Sequence, residues 1–137
     1  MSLSVCIEHI GSHLLVHVGG DVDLENAAKL TDTLVAAASA PNNTGMIIDL
    51  AATTFFGASG LTALVTVANR GHDDGFPVAV TAPRHSIVRR VITLTSLTDI
   101  LPFTDTVRDA QVLLDLIQLT NMPTKERSRL HHRDSTG

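Results

Sequence analysis

The chain contains no tryptophan and no tyrosine, and aromatic residues make up only 3% of it. Platforms on which nucleic-acid bases stack are therefore missing. A single cysteine, Cys6, cannot close an internal disulfide and frames no metal site, which agrees with a reducing compartment. Packing is the role expected of it. Although 44% of the residues are hydrophobic, no apolar run approaches the roughly 18–20 residues that a membrane-spanning helix needs. The N-terminus, Met1-Ser2-Leu3-Ser4, lacks a basic region followed by an apolar one, so no secretory signal is read and a cytoplasmic location is expected.

Positive charge is also scarce where it would matter. The formal charge is -4 over 137 residues. Residues after Asn121 hold four cations and two anions, net +2, which leaves -6 on the remainder. An acidic body disfavours nucleic acid as the main partner.

What is present is a regular alternation of strand and helix patterns. Leu3, Val5 and Ile7, then Leu14, Val16 and Val18, alternate with polar residues around Gly11-Ser12 and predict a hairpin. Asp23 stands where an N-cap is wanted, ahead of Leu24, Ala27, Ala28, Thr31, Leu34, Val35 and Ala38 at helical spacing, and Pro41 ends that helix. The continuous run Met46 to Leu50 predicts a central strand covered on both faces. A second helix is expected from about Ser59 to Asn69, with Gly71 as a left-handed terminator. Residues 77–82 predict a buried strand. A third helix after Pro83 turns Ile87, Val88, Val91 and Ile92 inward and Arg84, Arg89 and Arg90 outward. Residues 99–103 form a short strand whose Pro102 places it at an edge or a strand end. Thr106 with Asp109 resembles a capping box for a last helix through Val107, Ala110, Leu113, Leu114 and Ile117.

The expected order is ββαβαβαβα, a single α/β domain over residues 1–120 with a mixed sheet and a polar, disordered tail at 121–137. One stretch stands apart: Thr53 to Leu64 reads as the loop between the central strand and the second helix, and its Gly57, Ala58, Ser59 and Gly60 let another backbone or an anion approach the helix's first turn. A nucleophile elbow needs Gly-x-Ser-x-Gly, and Gly57-Ala58-Ser59-Gly60-Leu61 does not supply it. A phosphate loop needs a lysine that is absent here. Helix capping by Ser59 is the plainest role for the serine.

These residues carry a resemblance. Gly20-Asp21-Val22-Asp23, Ile47-Ile48-Asp49-Leu50, Phe56-Gly57-Ala58-Ser59-Gly60-Leu61, and Ala82-Pro83 with Arg89-Arg90 through Leu97 occur in the order of four motifs of the STAS domain family. Residues 3 to 118 or so are similar to its small, free-standing anti-sigma factor antagonists. The resemblance implies a cytoplasmic regulatory binder, not an enzyme, with no cofactor. It also implies a partner-switching cycle, in which the antagonist holds a serine-kinase anti-sigma factor, frees a sigma factor for transcription, and is released when the kinase phosphorylates the first serine of Asp-Ser-Ser-Gly-Leu.

Here Gly57 replaces the motif's Asp and Ala58 takes the place of the phosphorylated Ser. The resemblance therefore assigns partner binding to Asp21, Asp23, Gly57, Ala58, Ser59, Gly60 and Leu61. It leaves two readings of regulation: a binder indifferent to kinase activity, or an antagonist phosphorylated on Ser59, with Thr53 and Thr62 as lesser acceptors. Three further alternatives stay open. The chain could be a STAS subunit of a larger signalling or stress-sensing assembly, a small-ligand sensor, or an enzyme using Ser59 with a base such as His85. A homodimer is also left open. His9, His13 and His17 are expected to serve the surface or link strands, not to bind metal.

Overall fold

The computed structural model describes residues 3–39, 44–75, 77–95 and 101–120. Among the described residues nine elements follow one another: β1 (Leu3–Ile10), β2 (His13–Val22), α1 (Ala27–Ala38), β3 (Met46–Phe56), α2 (Ala58–Asp74), β4 (Val78–Thr81), α3 (Ile87–Leu94), β5 (Phe103–Thr104) and α4 (Val107–Thr120). The tail predicted at 121–137, and Asp99-Ile100 of the predicted last strand, lie outside the described residues.

The five strands form one sheet in chain order, β1-β2-β3-β4-β5. β1 and β2 are antiparallel, and β2 through β5 run parallel. This is the mixed sheet that the element order predicts. Alternation of side chains along a strand builds a core on each face. On one face Leu14, Val16 and Val18 pack with Ile48, Val80, Leu30 and Leu34 of α1, Leu64 and Val67 of α2, and Val88 and Ile92 of α3. On the other, Leu15, Ile47 and Ala79 meet Ala110 and Leu114 of α4. The continuous apolar run of β3 is thus explained by cover on both sides.

Several expectations need correction. β3 does not stop at Leu50: it continues to Phe56, with register shifts against β2 between His17 and Gly19 and between Gly20 and Asp21. The predicted loop from Thr53 is therefore largely strand, because β2 is long enough to pair with it. Regular helix α1 begins at Ala27, with Asn26 at the N-cap. Asp23 nevertheless organises the turn before it, since its Oδ1 accepts from the amides of Glu25 (3.0 Å) and Asn26 (3.1 Å). Leu24 precedes the helix and stands 84% exposed, and Leu30 takes the buried position.

α2 runs past Gly71, which is buried inside it, and ends at Gly75. Gly75 has φ of 80°, the left-handed conformation that glycine enters without penalty. Ser86 caps α3 by accepting from the Arg89 amide at 3.1 Å, and Thr106 caps α4 by accepting from the Asp109 amide at 3.1 Å. Arg89 does not point outward: its guanidinium donates to the Ala82 carbonyl (2.9 Å) and to Asp105 (3.1 Å). Cys6 is exposed on β1 and packs no core.

The histidines divide by role. His17 bridges strands, 2.8 Å from Asp49 and 3.3 Å from Glu8. His9 is exposed. His13 is only 1% exposed, contrary to a surface role: Nε2 donates to Asp115 of α4 at 2.6 Å, and Nδ1 lies 3.1 Å from Thr44 Oγ1. It ties α4 to the sheet. His13→Ala is expected to remove both contacts, leave a void and lower stability by about 2–3 kcal/mol in urea unfolding. An unchanged midpoint would show that α4 docks through its apolar face alone.

Candidate functional site

The parallel strands β2, β3 and β4 all end at one edge of the sheet, the side on which α/β folds present their sites. There Asp21 faces Phe55 and Val22 faces Phe56 in register. The end of β3 is pinned by side chains: the buried Thr53 hydroxyl donates to the Val18 carbonyl at 2.8 Å, and the exposed Thr54 hydroxyl donates to Asp21 Oδ1 at 2.6 Å. The Asp21 carbonyl in turn accepts from Asn26 Nδ2 at 2.8 Å. Asp21 thus joins three segments of chain.

Gly57 turns the chain from strand into α2. Its amide donates to the Val22 carbonyl at 3.1 Å, and its carbonyl accepts from the amides of Gly60 (3.0 Å) and Leu61 (3.3 Å). No side chain caps this helix, so the expectation that Ser59 caps it is wrong: Gly57 holds the N-cap position and Ser59 lies within the first turn. The capping geometry needs the residue before the first helical one, and the helix begins a residue earlier than the sequence suggested. Ala58 is exposed, Ser59 and Leu61 are half-buried and Gly60 is buried. Gly60 lets the first turn settle on Phe56, whose ring would lie 2.8–3.0 Å from any Cβ placed there.

All seven residues picked from the sequence therefore lie at or beside the β2 and β3 ends. They differ in what they present. Ala58 offers surface directly, Asp21 and Asp23 are half-buried and bonded to the turn, and Gly60 supports from beneath. Two neighbours were missed. Phe55 is 52% exposed and Leu24 is 84% exposed, and both are apolar side chains flanking the tip. The adjacent pair Phe55-Phe56 carried a signal, since consecutive strand residues point to opposite faces and only one of the two could enter the core.

The arrangement has little for covalent chemistry. Among the described residues no hydrogen bond engages the Ser59 hydroxyl, and His85 is exposed in the turn after β4 without a bond to it. A nucleophile needs a base within hydrogen-bond reach. Among the described residues there is also no group of three or more His, Cys, Asp or Glu side chains placed to hold a metal ion, and no helix long and apolar enough to cross a membrane.

Known proteins resemble this chain across most of its length. The STAS domain family matches residues 4–110. The anti-sigma-F factor antagonist RsfB of Mycobacterium tuberculosis is 31% identical over 110 residues, covering 80% of this chain and 87% of that protein. The crystal structure of an anti-sigma factor antagonist from Mycobacterium paratuberculosis superposes with a TM-score of 0.70 at 26% identity, over 83% of this chain and 95% of that one. The Bacillus cell fate determinant SpoIIAA in its phosphorylated form shares the fold, with a TM-score of 0.59 at 14% identity over 78% and 96% of the two chains. The matched span runs from β1 into α4 and takes in the whole tip, so the chain belongs to the STAS domain family.

Proposed function

We propose that this chain is a regulatory protein-binding module, an anti-sigma factor antagonist, which holds a kinase-type anti-sigma factor at the tip formed by Asp21, Asp23 and Gly57 to Leu61. A sigma factor is thereby freed for transcription. The observation that carries the reading is an exposed Ala58 at the first turn of α2, on a tip whose strand and turn also expose the apolar side chains of Phe55 and Leu24. Apolar anchors around a small, flat helix tip suit close packing by another protein better than they suit a small substrate.

Regulation follows from the same residue. A phosphate adds about -1.5 to -2 charge, and a helix N-terminus can accept it while a closely packed partner surface leaves it unpaired. Ala58 has no hydroxyl to receive one. Ser59 sits one residue further on, turned by about 100° around the helix, and half-buried, so a kinase seated over position 58 meets it poorly. Thr53 is withdrawn by burial and by its bond to Val18, and the Thr62 hydroxyl donates back to the Ala58 carbonyl at 3.2 Å. The binder is therefore indifferent to the kinase, and its abundance sets its effect.

Capture from native extract, followed by reconstitution with ATP, tests this. The chain is expected to recover an anti-sigma factor and keep its intact mass, whereas Ala58→Ser gains one phosphate and lets the partner go. A stoichiometric phosphate on Ser59 of the unaltered chain would restore the switching antagonist, and recovery of scaffold subunits would favour a larger assembly.

A further inference from the structure

Beside the tip, α3 starts from the same edge of the sheet, because β3 and β4 are parallel. Arg84, Arg89, Arg90, Thr93 and Leu94 line a shallow groove of about 340 Å³ along it. Two of its three guanidinium groups share one carboxylate. Arg84 reaches Asp105 Oδ2 and Arg89 reaches Asp105 Oδ1, each at 3.1 Å. Arg89 is 21% exposed and also held by the Ala82 carbonyl and by the Phe103 ring, whose centroid is 6.0 Å away, so it belongs to the scaffold. Arg84 is 75% exposed, and the exposed Arg90 has no ion-pair partner among the described residues. The groove thus carries an excess of positive charge on a body whose net charge is -6. Leu94, 79% exposed, adds an apolar wall.

We propose that this groove receives an acidic segment of the protein that docks on the tip, with carboxylates against Arg84 and Arg90 and an apolar side chain against Leu94. The identity of the partner rests on the reading given above; the charge chemistry of the groove does not. Opposite charge selects the occupant, and the exposed leucine selects a peptide over a bare anion. A free phosphate gains nothing from Leu94, and the open groove provides no enclosed cradle around it. Interface size points the same way. A stable complex uses about 20–30 residues on each side, far more than the tip supplies, and the groove lies on the next helix along the same edge.

Two arms test the proposal. In the first, a short glutamate-rich peptide with leucines one helical turn apart is titrated into isotopically labelled chain. The amide signals of Arg84, Arg90, Thr93 and Leu94 are expected to shift, and to stop shifting with the glutamine analogue or in the Arg84→Glu, Arg90→Glu double variant. Equal shifts from the glutamine analogue, or from inorganic phosphate alone, overturn it.

In the second, the anti-sigma factor recovered with the chain is used directly. The double variant is expected to associate about tenfold more slowly at low salt, with dissociation little changed. Lys29→Glu with Arg108→Glu makes the same change of net charge on α1 and α4 and should slow association much less. An equal slowing by that control overturns the groove and leaves the tip intact. A chain that recovers no anti-sigma factor overturns the reading of the tip, and the peptide arm then decides the groove by itself.

Discussion

Ala58→Glu is expected to weaken binding of the anti-sigma factor by at least about thirtyfold while the domain stays folded. The two halves of this result come from two environments of one side chain. In the free protein Ala58 is exposed and opens α2. A carboxylate there is solvated and lies at the positive end of the helix dipole, worth about 0.3–1 kcal/mol in favour of the fold. In the proposed complex the same carboxylate would be covered by a surface packed closely on what is now a methyl group. A buried charge without a partner costs about 2–5 kcal/mol, or roughly 30- to several-thousandfold in affinity. Titration calorimetry with thermal unfolding in parallel separates the two effects. Undiminished affinity would move the contact away from the start of α2.

Gly60→Val is expected to produce the opposite pattern, in which the fold suffers first. Position 60 is buried against the Phe56 ring, and a Cβ would fall 2.8 Å from Cζ, 2.9 Å from Cε1 and 3.0 Å from Cε2. Phe56 is 3% exposed, so its ring is enclosed and cannot swing away freely. Overpacking of this kind costs about 1–3 kcal/mol. At about 2 kcal/mol the melting temperature falls by roughly 6–10 °C for a chain of this size. Binding should fall as well, because the first turn of α2 must lift to make room and carries Ala58 and Leu61 with it. Gly60→Ala tests the same contact more gently: its better helix propensity, about 1 kcal/mol, offsets part of the clash. A valine variant that melts unchanged would mean that Phe56 has space the structure does not reveal.

The contrast between these two substitutions also separates docking from support. Gly60 and Ala58 are two residues apart, yet one is packed on Phe56 and the other is exposed. The sequence resemblance placed both in a single set. Only their depth divides them.

Much of the fold was legible because each element is patterned against its own period. Leu14, Val16 and Val18 alternate as a strand must, and Val107, Ala110 and Leu114 recur as a helix must. Boundaries were less legible. β3 runs to Phe56 because β2 pairs with it that far, and a pairing partner is invisible to a local pattern. α1 starts at Ala27, after a turn that the bonds of Asp23 and Asn26 hold together. Of the candidate site, the stretch from Gly57 to Leu61 stands out in the sequence by its glycines and its resemblance. Phe55 and Leu24 were passed over, because apolar residues are expected inside and only accessibility shows that these two are not.

By itself the sequence determined the order of strands and helices, the acidic balance of the body and the absence of a hydroxyl at position 58, since each is a property of the chain read along its length. Tertiary structure decided the rest: that His13 is buried against Asp115, 102 residues away, that Arg89 turns in to Asp105 while Arg90 stays out, and that Asp21 meets Thr54 at the tip. Those outcomes depend on which distant segments share an edge or a face, and such neighbours are fixed by packing, which no local period encodes.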